Sequence, residues 1–169
     1  MASEKISLID DLKNSHAPWK LKVRVFKFWE GKDPKTGSPA GLDYIFIDEQ
    51  GSRIHGKVLK FNRARFIDKL EEGNIYILSK VSVYTAEQHY RPTRREYMVF
   101  LNNSTIVQRV DEIDDFPKFS FDFIKLDTLA ERRDNVFLND VVGVYIDSSE
   151  VTKIKDGKRL REIWIRDET

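Results

Sequence analysis

Over the first 110 residues, the pattern of hydrophobic and polar positions predicts a succession of short β-strands. Residues 19–25 alternate between apolar side chains and lysine or arginine, which is typical of a half-buried strand with a basic outer face. Residues 42–47 form a mostly apolar run, and residues 53–59 alternate again. Residues 75–85 and 96–101 complete a set of five predicted strands.

A single helix is predicted between the third and fourth strands. Asn62 fits an N-cap, Phe66 and Leu70 share one helical stripe, and Gly73 is a natural stop, so we expect a helix of roughly ten residues. Three strands, a helix and two strands is the element order of the OB-fold. We therefore predict a mainly β protein, built on a five-stranded OB-fold Greek-key barrel with one helix between strands 3 and 4. In that fold the face of strands 2 and 3 and the loops after strands 1 and 4 bind oligomers.

The rest of the chain partly repeats its beginning. The segment Ile124-Lys-Leu-Asp-Thr-Leu129 is similar to Ser7-Leu-Ile-Asp-Asp-Leu12, and Leu138–Tyr145 is similar to Lys20–Phe26 at a nearly constant offset, which indicates a duplicated module. Residues 161–166 are its second predicted strand, and two strands cannot close a barrel. We expect three parts: an OB-fold single-stranded nucleic-acid-binding domain over residues 1–110, an acidic linker over residues 111–119, and an incomplete second OB-fold over residues 120–169.

Composition excludes several classes of protein. The chain has 169 residues and no cysteine, which removes disulfides, thiolate zinc sites and cysteine catalysis, and fits a reducing compartment. We find neither a membrane-spanning apolar run nor the apolar region of a signal peptide, so we expect an intracellular, soluble protein with no membrane partner. The net charge is only +1, but residues 51–67 carry five cations and no carboxylate. Segregated charge of this kind builds a basic face on a nearly neutral protein.

Aromatic and cationic side chains are concentrated where an OB-fold binds. Lysine and arginine neutralise phosphates, and aromatic rings offer stacking faces to bases, so such side chains suit a single strand. The alternative for each of them is a solvated loop or strand surface. The candidates lie in the loop after strand 4 (Tyr90, Arg91, Arg94, Arg95), on the outward face of strand 3 (His55, Lys57, Leu59), in the loop after strand 1 (Lys32, Lys35) and on strand 4 (Tyr84).

The sequence offers no catalytic constellation. His16, His55 and His89 are far apart, with no metal-ligand spacing and no nucleophile motif. The carboxylates of residues 111–115 suit either a divalent cation, as in a nuclease, or a solvated acidic linker. We therefore expect a protein that is not an enzyme and that needs no cofactor.

Several short stretches resemble one family. The stretches Trp19-Lys-Leu-Lys-Val-Arg-Val25, Ile47-Asp-Glu-Gln-Gly51, Leu70-Glu-Glu-Gly-Asn-Ile-Tyr76 and Asn102-Asn-Ser-Thr105 resemble the first single-stranded-DNA-binding OB-fold of the replication protein A large subunit, in its plant-type form. Phe121-Asp-Phe-Ile-Lys-Leu-Asp-Thr-Leu129 and Asp140-Val-Val-Gly-Val144 resemble the start of the second OB-fold of that subunit. The resemblance covers nearly the whole chain.

The resemblance implies single-stranded DNA laid across the barrel and stacked on two aromatic residues. The loop aromatic falls on Tyr90, whereas the strand-3 aromatic falls on Leu59, which departs from the family unless Phe61 takes its place. Loss of one aromatic stacking residue reduces the binding free energy by roughly 1–3 kcal/mol per base. The resemblance further implies a nuclear protein of DNA replication, repair or recombination.

The partners implied are single-stranded DNA, or RNA, and either other replication protein A subunits or a partner that completes the second OB-fold. The alternative function is an OB-fold module for protein–protein interaction in a replication or repair assembly. The missing aromatic at Leu59 and the near-zero net charge both favour that alternative.

Overall fold

The computed structural model describes residues 5–33, 36–131, 136–154 and 157–168, with the side chains of residues 15–17 excepted. The chain divides into two compact units. The first comprises the residues up to Ser120 together with Val136–Leu138, and the second comprises the remaining residues from Phe121 onward. In the described ranges no helix is both long enough and apolar enough to cross a membrane.

The first unit is a closed β-barrel. Its strand order is β1-β2-β3-β5-β4-β6, and β1 also pairs with β4, so that five strands form a ring. β5 pairs with the end of β4 and β6 with its beginning, opposite the edge that pairs with β1. β3 and β5 are parallel, and the other pairs are antiparallel. The predicted OB-fold is thereby confirmed. The strands are β1 (Ser15–Lys32), β2 (Pro39–Ile47), β3 (Arg53–Val58), β4 (Ile75–Thr85), β5 (Tyr97–Leu101) and β6 (Ile106–Val110).

The first strand is much longer than its alternating pattern indicated. β1 runs for 18 residues, and its register on β2 shifts between Val25 and Lys27. A bulge bends a strand and increases its twist. The strand therefore pairs with β4 through its first half and with β2 through its second half, which closes the barrel.

The alternating apolar positions form one core. Side chains that the pattern placed inward, such as Leu21, Val23 and Val58, are fully buried together with Phe46 and Phe66. Two side chains of the lead-in segment, from a 3-10 turn and the residue after it (Ile9 and Leu12), are also buried in this core. The period of two along the strands was therefore a sufficient guide to the inner face.

The predicted helix of roughly ten residues is wrong in length. A 3-10 turn over Lys60–Asn62 leads into α1 (Arg63–Phe66), which has only four residues. Asn62 makes no capping side-chain hydrogen bond, and the first turn of α1 carries arginines instead of the acidic residues that the helix dipole favours. The helical segment is fixed by burial of Phe66 in the barrel, not by its own propensity.

Arg24, predicted on the wet face of β1, is 3% exposed. Its guanidinium donates to both carboxylate oxygens of Glu112, at 2.7 and 3.0 Å, and to the carbonyl oxygens of Gly73, Phe116 and Pro117. A buried charge is tolerated when it is paired and fully hydrogen-bonded. Part of the segment predicted as an acidic linker thus packs on the first unit, where Phe116 is buried.

The Arg24–Glu112 pair makes stability depend on pH. The hydrogen bond from Arg24 holds the pKa of the Glu112 carboxyl below its usual 4.5, so the native state favours the ionised form. The pair therefore stabilises the fold above the unfolded-state pKa, and this stability is lost as the pH falls through the folded-state pKa. Urea denaturation between about pH 6 and pH 3 is expected to show a shallower loss of stability in Glu112→Gln than in the wild type. Asp68→Asn, at an exposed carboxylate, is the control, and an unchanged slope in Glu112→Gln would contradict the assignment.

The second unit contains two antiparallel strand pairs and a 3-10 turn over Leu126–Glu131 in its described part. β7 (Val144–Ser148) pairs with β10 (Ile163–Arg166), and β8 (Thr152–Lys153) pairs with β9 (Arg159–Leu160). Many apolar side chains of β7 and β10 are exposed, with Val144 at 64%. These strands lack the packing that buries the core of the first unit.

Candidate functional site

Two adjoining depressions on the first unit share Leu59 in their walls. The lysine depression, about 410 Å³ in volume, lies where the end of β1, the start of β2 and the end of β3 meet. Three lysines line it (Lys32, Lys57 and Lys60), of which Lys32 and Lys60 are exposed to solvent. Two carboxylates also line it, Asp33 and Asp43, and Asp43 is hydrogen-bonded to His55. β3 ends at Val58, so Leu59 lies just beyond the strand instead of on its outward face, and it is 40% exposed.

The aromatic depression, about 540 Å³ in volume, lies over β4, β5 and the 3-10 turn before α1. Phe61, Tyr84 and Phe100 line it. The ring of Tyr84 meets that of Phe100 edge-on, with centroids 5.4 Å apart, while Phe61 is 77% exposed. These rings offer apolar faces to a planar ligand.

The pairing of β4 with β5 positions this aromatic surface. Val83 and Val99 are opposite each other and point into the core, so their neighbours Tyr84 and Phe100 lie on the other face of the sheet. The turn after β5 is held by Asn102, whose side-chain amide donates to the Ser82 hydroxyl at 3.0 Å. The side-chain carbonyl oxygen of Asn102 in turn accepts from the Ser104 amide and hydroxyl. The wall of the aromatic depression is therefore fixed before any ligand binds.

An ion pair connects β3 to the long loop between β4 and β5, residues 86–96. The Lys57 ammonium contacts the Glu87 carboxylate, and Glu87 also lines the aromatic depression. Because both side chains are partly exposed, a phosphate can compete with the carboxylate for Lys57 at modest cost. The loop thus begins at the edge of the candidate site.

His55 does not reach this surface. It is 6% exposed, its Nε2 lies 2.8 Å from Oδ1 of Asp43, and its ring is stacked on Trp29 at a centroid distance of 6.0 Å. Trp29 itself packs on a small apolar cluster containing Phe26 and Ile45. The expectation that His55 is an outward contact residue is therefore corrected: the side chain leaves the core face but is covered by β1.

The predicted arginines of the β4–β5 loop are engaged inside the first unit. Arg95 forms an ion pair with Asp10 and donates to the Ser52 hydroxyl at 3.1 Å. Arg91 and Arg94 both stack on Phe137. None of the three lines the lysine depression or the aromatic depression.

Tyr90 is exposed, at 65%, and lines neither depression; its backbone φ of 56° is unusual for a residue other than glycine. Of the predicted contact residues, the structure brings together Lys32, Lys57, Leu59 and Tyr84. Lys35 lies outside the described residues.

Sequence reasoning missed Lys60 and Phe100. Val99 and Leu101 fill the inward positions of β5, so the alternation along the strand already indicated that Phe100 faces outward. Lys60 lies between the predicted third strand, which ended at residue 59, and the predicted helix, which began at Asn62, so no strand or helix pattern assigned it a face. In the described parts of the chain, no group of three or more histidine or acidic side chains has a geometry that could hold a metal ion.

A family model described as "Domain of unknown function DUF223" matches residues 10–131. One relative from Arabidopsis thaliana, a replication protein A 70 kDa DNA-binding subunit, is 26% identical over 159 residues, which cover 89% of this chain and 26% of the relative. The replication protein A 70 kDa DNA-binding subunit of Xenopus tropicalis is 24% identical over 166 residues, covering 96% of this chain and 27% of the relative. The chain thus spans about a quarter of the length of these relatives. The predicted resemblance to the large subunit is confirmed.

Among solved structures, a replication protein A heterotrimer bound to single-stranded DNA superposes with a TM-score of 0.61. The match has 22% sequence identity and covers 96% of this chain and 39% of that chain. At this identity the likeness establishes the fold, in agreement with the strand order of the first unit.

Proposed function

The chain belongs to the family described as Domain of unknown function DUF223. From its similarity to replication protein A DNA-binding subunits and from the two adjoining depressions, we propose that the first unit binds single-stranded DNA without catalysing a reaction. One observation carries the proposal: a lysine-lined depression continues through Leu59 into an aromatic one. A single strand offers a line of phosphates beside a line of bases. The two depressions match these two chemistries side by side.

Phosphate neutralisation is the role of the lysine depression. Lys32 and Lys60 are exposed, and Lys57 exchanges Glu87 for a phosphate. Release of counterions from the strand then drives binding, so affinity falls steeply with salt and depends little on sequence.

Base stacking is the role of the aromatic depression. Phe61 takes the place of the ring that Leu59 does not supply, because it follows two residues later and is the more exposed of the two. Tyr84 offers a second face beside Phe100. Stacking on such rings is tolerant of base identity, since every base has a π-face.

The relatives support the wider setting of the proposal. Because they are replication protein A DNA-binding subunits, we place this chain in the nucleus, in DNA replication, repair or recombination, with single-stranded DNA and other subunits of that assembly as partners. RNA remains a second ligand to test. The division into an OB-fold domain up to residue 110, a linker and an incomplete second OB-fold is part of the same proposal.

A protein–protein interaction module is the second candidate. The contacts of Arg91, Arg94 and Arg95 within the chain favour this second function, because these three cations are then less available to bind phosphates. In that case Leu59 and Phe61 dock an apolar partner. Fluorescence anisotropy with a labelled oligonucleotide separates the two functions, since only the first predicts binding that weakens with salt.

Replacing Lys32 and Lys60 together by alanine tests the proposed function. Each phosphate contact in a single strand contributes about 0.7 to the slope of log affinity against log salt, so the slope is expected to fall by roughly 1.4. The measurement is anisotropy with labelled oligothymidylate across a salt series. Lys13→Ala with Lys69→Ala removes the same charge from exposed positions that line neither depression. Equal slopes in the two double variants would remove the lysine depression from the binding site.

A further inference from the structure

Two guanidinium groups of the β4–β5 loop contact one aromatic ring. The Cζ atoms of Arg91 and Arg94 lie 5.0 and 5.1 Å from the centroid of the Phe137 ring. Both distances fall within the range of a cation–π contact. Guanidinium planes hold unstacked bases of single strands in the same way. Phe137 therefore fills a position that also suits a nucleobase.

Backbone hydrogen bonds hold Phe137 in this position. The Arg91 amide donates to the Val136 carbonyl oxygen at 2.7 Å, and the Leu138 amide donates to the Arg91 carbonyl oxygen at 2.8 Å. The two bonds make a short parallel bridge between Arg91 and Phe137. Residues 136–138 thus belong to the first unit, although they are distant from it in sequence.

The Arg91 guanidinium is oriented but not fully satisfied. Its Nη2 donates to the carbonyl oxygen of Arg95, while its Nε is buried without a hydrogen-bond partner. A buried donor without an acceptor destabilises the arrangement that contains it. A nucleotide carries acceptor oxygens, which the phenyl ring lacks.

We propose that Arg91 and Arg94 form a base-stacking subsite of the first unit, and that Phe137 occupies it until a DNA strand displaces the ring. The inference rests on the proposed function and adds to it a second contact region, outside the two depressions. The apparent affinity of such a protein is lowered by the fraction of molecules in which the subsite is filled by its own ring. Residues 136–138 then act as a built-in competitor.

Phe137→Leu and Phe137→Ala test the competition. Both variants of the full chain are expected to bind labelled oligothymidylate of about 15 nucleotides roughly fivefold more tightly than the wild type, because the subsite is vacated. Leucine keeps an apolar side chain at the position and so protects against loss of the local fold, which circular dichroism checks. Phe119→Leu, at an exposed phenylalanine outside the contact, is the matched control and is expected to change nothing.

The two arginines are replaced both in the wild type and in the Phe137→Leu variant. Arg91→Ala with Arg94→Ala is expected to abolish the gain in the Phe137→Leu background and to weaken binding by the wild type by a smaller factor, because the ring competes with the strand there. Hydrogen exchange gives an independent readout, since the amides of Arg91 and Leu138 form the backbone bridge that holds residues 136–138 against the loop. Their exchange is expected to accelerate when the oligonucleotide binds.

The outcomes separate the two proposals. If the wild type binds and neither Phe137 variant binds more tightly, the subsite is refuted while the depressions stand. If wild type and variants all fail to bind, the proposed function is refuted and the subsite with it. Unchanged protection of the Arg91 and Leu138 amides in the bound state also refutes displacement.

Discussion

Simultaneous replacement of Phe61 and Tyr84 by alanine is expected to weaken binding of a single-stranded oligonucleotide about a hundredfold. Stacking on an aromatic side chain contributes about 1–3 kcal/mol per base, and two lost platforms at the lower part of that range give about 2.7 kcal/mol. Both side chains are exposed, at 77% and 49%, so their removal leaves the core intact. The measurement is the dissociation constant from fluorescence anisotropy at constant salt, together with a urea titration to verify stability.

Single alanine variants show which aromatic side chains stack on the bases. Phe119→Ala removes a phenylalanine of the first unit that is 71% exposed and lines neither depression, and it is expected to leave the affinity unchanged. Tyr90→Ala tests the position implied by the family resemblance. If Tyr90→Ala costs more affinity than Phe61→Ala, the strand runs over the β4–β5 loop, and the assignment of the aromatic depression is wrong. If all variants bind alike, stacking does not contribute.

The parts of the barrel that the sequence predicted are those governed by local periodicity. Strand alternation correctly placed Val23 and Ile54 inside and Tyr84 outside, because the period of two is a property of the backbone. The order of elements was then enough to predict the OB-fold. The helix was predicted too long because Phe66 and Leu70 do share the buried face, but a stripe of buried residues does not require a continuous helix between them.

Contacts with residues distant in sequence determine the burial and pairing of side chains that the periodicity could not predict. Arg24 occupies an outward position in the alternating pattern and is nevertheless buried, because Glu112 and two nearby carbonyl groups fold over it. Arg95 pairs with Asp10, which lies 85 residues away in the chain. No pattern within a strand or loop contains this information. The cationic loop therefore looked like an open binding surface, whereas all three arginines have partners within the first unit.

The residues of the candidate site also divide into those that the sequence predicted and those that it did not. Lys57 and Lys32 were predicted from position in the fold, since loops and strand ends of an OB-fold surround its binding face. Lys60 and Phe61 join them only because the chain leaves β3 through a 3-10 turn. That turn brings a cation and a ring to the two sides of Leu59, one in each depression.

Gly56→Ala is expected to destabilise the first unit by about 3 kcal/mol, at the upper end of what overpacking a filled core costs. Gly56 lies on β3, between β2 and β5, and a Cβ atom built there meets Cε2 of Phe46 at 2.1 Å. The Phe46 ring is fully buried and stacked on Tyr44 with centroids 5.3 Å apart, so it has no free space to move into. Because β3 leads directly into Leu59, which lines both depressions, we expect weaker oligonucleotide binding in the same variant. Urea denaturation followed by circular dichroism gives the free energy of unfolding.

Two further variants, Gly31→Ala and Phe46→Leu, test whether the added methyl group collides with the Phe46 ring. Gly31→Ala, where the nearest atom to the added Cβ is the Asp43 carboxylate oxygen at 3.3 Å, is expected to cost less than about 1 kcal/mol. Phe46→Leu removes the ring atoms that meet the new methyl group, so the double variant Gly56→Ala with Phe46→Leu is expected to be more stable than the sum of the single effects by about 1–2 kcal/mol. Strict additivity would show that the methyl group and the ring do not collide. The loss of stability would then have to arise from the β3 backbone itself.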